Sequence, residues 1–166
     1  KPECWLVTHA APGANVWLGL AEHAIEAAMR AALEGSRDVE ALLARHEVRE
    51  GDFFVVPPGT PHAIGAGITL VEPQHVRNGK RGVTYRYFDW HRRYDDRGGV
   101  SPKGTARPLH VAQALAVTRW DAPRGEAALT RTRLRTGAPD PDAPLHATWL
   151  AGRESLFAIR LPALLF

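Results

Sequence analysis

The chain has 166 residues, 45% of them hydrophobic, enough to bury one sizeable core, or one core and part of a second. No apolar run reaches the length of a membrane span and no basic segment leads into an apolar one, so neither a spanning helix nor a signal peptide is expected. The net charge of +3 comes from arginines scattered among acids; it lacks the basic, aromatic-interleaved stripe of a nucleic-acid binder and favours a small anionic ligand by long-range attraction.

The chain opens at Lys1 directly on a strand-like run and closes on the apolar stretch 156–166, so a fragment is expected. Cys4 is the single cysteine, which excludes an intrachain disulfide and a cysteine-rich zinc site and fits a reducing cytoplasm. Residues 4–8 and 15–18 read as strands joined by the turn residues Ala11-Pro12-Gly13-Ala14, with Trp5 and Trp17 as core aromatics whose indole donors need partners. From Ala21 the period changes: Ile25, Met29 and Leu33 recur one turn apart, predicting an amphipathic helix that ends at Gly35. A second helix is predicted to follow, with Ser36 as N-cap, Asp38 in the first turn, and Val39, Leu42 and Leu43 on its apolar side until His46. This helical insertion, about 20–47, would cover one side or opening of a β framework, with His23 and His46 as solvated helix histidines.

The densest stretch is 51–74. Phe53, Phe54, Val55 and Val56 suit a buried strand, and a stiff corner follows. Pro57, Pro58 and Pro61 fix φ and lack amide donors, while Gly59 permits a left-handed reversal, so His62 leaves the corner in a defined direction. A regular strand would then set Ile68, Leu70 and Glu72 on one face, placing an acid beside an apolar wall. Asn78-Gly79 is a strong hairpin signal flanked by Arg77, Lys80 and Arg81. Residues 83–90 alternate as a two-faced strand in which Arg86 projects with Phe88 and Trp90; an arginine facing a β interior must find an anion. Residues 91–104 read as a loop able to close over a site, and 109–117 as a short helix after Pro108. A soft boundary at 121–125 precedes predicted strands at 128–135, 146–150 and 156–161, with a loop at 137–144 and a turn at Gly152-Arg153.

The spacing of Gly51, Pro57, Gly59 and His62 is similar to the second signature motif of the cupin family, and the whole run resembles type I mannose-6-phosphate isomerases. Lys1-Pro2-Glu3-Cys4-Trp5 resembles that family's Lys-x-Glu strand. Thr84-Tyr85-Arg86 with Asp89-Trp90 resembles its substrate-arginine strand, and Pro108-Leu109-His110 adds a further match. The basic hairpin at 75–82 departs from the Ser-Asp pair typical of the family before the Thr-Tyr-Arg strand. The resemblance implies a mainly β fold: a cupin jelly-roll barrel over 1–120 carrying the helical insertion, and part of a second β-sandwich unit over 126–166.

It also implies zinc, one divalent metal ion per site, with Glu3 and His62 as ligands. For His62 the spacing alone leaves two readings, ligand or buried neutral histidine donating to a backbone carbonyl. The family's Gln-x-His ligand pair would lie on a strand upstream of Lys1; Gln74 and His75 are wrongly placed to substitute. The implied reaction interconverts mannose 6-phosphate and fructose 6-phosphate through an enediol, with a sugar phosphate as partner and neither nucleic acid nor membrane. Glu72, its pKa raised by apolar neighbours, is the candidate base, or else a structural carboxylate. Arg86 would meet the enediolate or phosphate, Lys1 would line the same cavity, and Thr60 is a turn residue within reach of a sugar oxygen. The alternatives are a non-catalytic cupin that binds a sugar phosphate and, behind it, an iron oxygenase, which the lack of a His-x-His disfavours.

Overall fold

Short runs of β-branched and aromatic residues dominate the chain, and in the computed structural model they form antiparallel strands. Residues 1–35, 38–134, 147–151 and 158–162 are described. In chain order the elements are β1 (Glu3–Ala10), β2 (Asn15–Leu20), α1 (Glu26–Glu34), a 3₁₀ turn (Glu40–Leu42), β3 (Leu43–Glu47), β4 (Phe53–Val56), β5 (His62–Ile64) and β6 (Ile68–Val71). There follow β7 (Arg93–Tyr94), β8 (Thr105–Ala106), α2 (Val111–Val117), α3 (Gly125–Thr132), β9 (Arg133–Leu134), β10 (Ala147–Ala151) and β11 (Ala158–Pro162).

One sheet runs β6-β1-β4-β9 and a second β3-β2-β5, while β7–β8 and β10–β11 form two-stranded pairs, all neighbours antiparallel. Directly opposed residues share a face, so Glu3 with Val56 and Trp5 with Phe54 point the same way from the first sheet. Trp5, Val7, Phe54 and Val56 meet Val16 and Leu18 of the second sheet in one buried cluster, with Ile68 and Leu70 packed at its side. A second cluster joins Leu20 to Met29, Ala32, Leu42 and Leu115, seating α1 and α2 against the end of β2. The helix predicted to end at Gly35 is thus α1, and the one after Pro108 is α2. The predicted strands near 146–150 and 156–161 appear as the antiparallel pair β10–β11. The Ser36 cap, the 137–144 loop and the Gly152-Arg153 turn lie outside the described residues.

Four predicted elements take another form, wholly or in part. The second helix is reduced to the 3₁₀ turn, whose Glu40 and Ala41 amides donate to Asp38 Oδ1, and the chain then enters β3. Leu42, Ala44, His46 and Val48 are buried while Arg45 and Glu47 are exposed, a period of two. His46 is therefore an interior residue, its Nε2 donating to the Leu18 carbonyl at 3.2 Å, and not a solvated helix histidine. Residues 128–135 are predicted as a strand, but Gly125–Thr132 is helical and the strand begins at Arg133, as β9. Ala127, Ala128 and Leu129 favour the helix, and the Thr130 and Thr132 hydroxyls bond back to the carbonyls of Glu126 and Ala128. Residues 83–90 form no strand, and Asn78-Gly79 makes a turn, closed by Lys80 N to Arg77 O at 3.0 Å, without strands beside it.

β9 adds to the edge of β4, pairing Phe53 with Leu134 and Phe54 with Arg133. Arg133 fixes this docking, with Nε and Nη2 at 3.1 and 2.6 Å from Asp52 Oδ1 and its guanidinium 5.8 Å from the Phe54 ring centre. Arg133→Ala removes a charge-assisted fork and is expected to lower stability by about 1–3 kcal/mol in urea unfolding, with faster amide exchange in β9. An unchanged midpoint would mean that β9 docks without it.

Candidate functional site

The corner between β4 and β5 aims His62. Thr60 N donates to Pro57 O at 3.2 Å, Gly19 N to Pro61 O at 2.8 Å, and β5 then pairs His62 with Leu18. Gly59 has φ +79°, and a Cβ there would lie 2.4 Å from the Val117 carbonyl, so glycine is needed both for the turn and for the close approach of α2. His62 Nδ1 lies 2.8 Å from the Thr60 carbonyl. A carbonyl only accepts, so Nδ1 carries the proton, and in the neutral ring Nε2 presents a lone pair. The backbone-donating histidine and the available ligand nitrogen are thus the two edges of one ring.

Nε2 faces Glu3, 3.6 Å from Oε2. Glu3 is buried, and its other oxygen lies 3.3 Å from Lys1 Nζ, which offsets the cost of burying the carboxylate. Lys1 Nζ is also 2.6 Å from Thr84 Oγ1. These groups line one cleft of about 650 Å³, together with Glu72 and Arg86.

Trp5 organises two of them. Its indole is fully buried, stands edge-on to the His62 ring with centres 5.3 Å apart, and donates Nε1–H to Glu72 Oε1 at 2.8 Å. The predicted face holds, since Ile68 and Leu70 pack on the core and Glu72 follows on the same side. The predicted burial does not: Glu72 is exposed, because β6 is an edge strand and ends at Val71. Behind it Cys4 is sealed in the sheet, and burial, aided by the Glu72 charge, pushes its thiol up to about 11.

Arg86 reaches the cleft from an irregular segment, its Nη1 bonded to Pro108 O at 3.3 Å. Three residues on, buried Asp89 is gripped on both oxygens by Arg107, with Nε to Oδ2 at 2.7 Å and Nη2 on Oδ1. The Arg107 hydrogen bonds hold the Asp89 carboxyl below its ordinary range, against the opposing effect of burial. The partners Thr84 and Arg107 had no signal in the spacing, since nothing local ties residue 1 to 84 or 89 to 107. Thr60 supplies its carbonyl to His62 and lines the cleft.

Among the described residues no three His, Cys, Asp or Glu side chains gather as a metal group. Glu3 and His62 form a pair. An imidazole lone pair and a carboxylate oxygen facing each other are both electron donors, of the kinds zinc takes, so the pair fits two positions of a metal shell.

No family model matches the chain. The crystal structure of the mannose 6-phosphate isomerase from Bacillus subtilis superposes with a TM-score of 0.69 at 23% identity, covering 96% of this chain and 44% of that one. The molecule is therefore a mainly β protein with the fold of that structure. The mannose-6-phosphate isomerase of Streptococcus mutans is 37% identical over 117 residues, and ManA of Bacillus subtilis is 33% identical over 117, each match covering 70% of this chain and 33% of the relative. The chain is similar to these mannose-6-phosphate isomerases and spans about a third of their length.

A folded-state carboxyl pKa below the unfolded value, about 4, adds stability that is complete above that value and lost as pH falls through the folded one. Wild-type stability should therefore decline below about pH 4 partly through Asp89, and Asp89→Asn should flatten that part of the profile in urea unfolding from pH 3 to 7. An identical slope in the variant would rule the pair out as an acid-labile link.

Proposed function

We propose that this chain carries part of the active site of an enzyme that interconverts mannose 6-phosphate and fructose 6-phosphate through an enediol. The observation that supports this most directly is the approach of His62 Nε2 to Glu3 Oε2, 3.6 Å apart in the cleft that Lys1, Glu72 and Arg86 also line. The named relatives supply the reaction. In this reading Glu3 and His62 hold a zinc ion together with ligands from outside the described residues. Zinc, when bound, polarises a carbonyl and organises the sugar oxygens.

The chain's own residues divide the remaining work. Glu72 takes a proton from the carbon beside the carbonyl and returns it to the neighbouring carbon, its carboxylate oriented by Trp5 Nε1. An exposed carboxylate suits this role once the sugar covers it and displaces water. Arg86 meets the enediolate or the phosphate as a charge-assisted fork. Lys1 balances Glu3 and, through Thr84, joins the first strand to the Arg86 segment. The catalytic unit, expected over 1–120, extends in this reading through α3 to β9, with the partial β-sandwich after it, and the protein works in the cytoplasm.

A second reading, a non-catalytic binder of a sugar phosphate, draws support from the donor set, which among the described residues stops at the Glu3–His62 pair. Two measurements on the complete protein separate the readings. Glu3→Gln and His62→Ala should each reduce the zinc retained per chain by mass spectrometry; wild-type metal content in both removes them as ligands. Glu72→Gln should cut isomerase turnover by about 10²–10⁴-fold with metal content unchanged, and full turnover in that variant would dismiss Glu72 from the proton transfer.

A further inference from the structure

Residues 86–89 have no strand geometry, yet they are fastened along 107–110 at both ends. Arg86 N donates to His110 Nδ1 at 3.4 Å, His110 N returns a bond to Arg86 O at 2.8 Å, and Arg86 Nη1 reaches Pro108 O. At the other end Arg107 grips both oxygens of buried Asp89. The chain then turns through Trp90 and His91 at φ 49° and 52°, the non-glycine residues with positive φ among those described. Consecutive left-handed residues of this bulk are strained and persist only where the surroundings hold them. Here Arg92 N closes the turn on Asp89 O at 2.9 Å, Trp90 Nε1 donates to Glu40 Oε2 at 3.2 Å, and the Trp90 ring lies 5.8 Å from Trp17 and 5.4 Å from Phe88.

The two guanidiniums differ in what they leave free. Arg107 has Nε and Nη2 on Asp89 and its face 4.7 Å from the centre of the Tyr94 ring, so it is occupied on an edge and a face. Arg86 has one long bond, to Pro108 O, among the described residues, and a guanidinium carries five donors. Arg86 and Arg92 are the further charges that act on Asp89. The Asp89 carboxylate thus offsets positive charge from Arg107, Arg86 and Arg92 at this end of the cleft.

We propose that Asp89 and Arg107 are positioning residues: their ion pair, with the strained turn at Trp90 and His91, fixes the backbone that presents Arg86 to the cleft, and they act through Arg86 rather than on the reacting atoms. This rests on the role given to Arg86 above. The test is a double-mutant cycle in the complete protein, with Asp89→Asn, Arg86→Lys and both together, repeated with Arg107→Lys in case Asp89→Asn folds poorly. Asp89→Asn should lower kcat by roughly 10²-fold with metal content intact, and by less than about twofold in the Arg86→Lys background. Equal losses in the two backgrounds, or no loss, would overturn the proposal. Hydrogen exchange of this chain, without substrate, supplies an independent arm: Asp89→Asn or Arg107→Lys should speed exchange over 84–92 and spare β1 and β4, and unchanged protection would also overturn it. Were the complete wild-type protein to lack isomerase activity, the catalytic reading would fail, and the exchange experiment would still decide whether the pair fixes the Arg86 segment.

Discussion

Glu3 stands opposite Val56 in the β1–β4 ladder, and this register sets the geometry of the cleft. Because side chains alternate across a strand, a slip of one residue would send Glu3 and Trp5 to the far face and bring Cys4 and Leu6 into the cleft. Val56 is also the last residue of β4, so the proline corner begins where Glu3 lies, and His62 emerges a few ångströms from its carboxylate. Buried apolar area enforces the register: Trp5, Val7, Phe54 and Val56 all lose their places in the core if it shifts.

The electrostatics follow from that arrangement. A buried carboxylate is costly, and Glu3 has a lysine on one oxygen and an imidazole lone pair near the other, which leaves a donor-rich point suited to a cation. Trp5 adds rigidity, holding His62 by ring contact and Glu72 by its indole N–H, so one buried side chain orients a group on each sheet. The same cleft is lined by Arg86 and Arg107, and Asp89 is the stabilising anion for Arg107.

The chain also shows where local patterns mislead. Ala41 to His46 contains good helix formers, and propensity favoured a helix, but the alternation of Leu42, Ala44, His46 and Val48 matched an open edge of β2, and sheet pairing prevailed. The threonines of α3 favoured a strand on propensity, yet their hydroxyls are satisfied by carbonyls one turn back, and Ala128 packs inward. Residues 83–90 alternate well but lie along 107–110, which offers isolated bonds and no ladder.

What the residues alone determined was the family resemblance and the fold class: the Gly51-Pro57-Gly59-His62 corner, the Lys1-x-Glu3 strand and Arg86 carried the first, and the period of two around them carried the mainly β fold. Turn stiffness and strand alternation act over a few residues, so they can be read locally. The tertiary structure decided the partners, Thr84 for Lys1, Trp5 for Glu72 and Arg107 for Asp89, and it decided that Glu72 is open rather than buried. Those outcomes depend on which strands become edges and which distant segments touch, and both follow from packing across the whole chain rather than from any spacing along it.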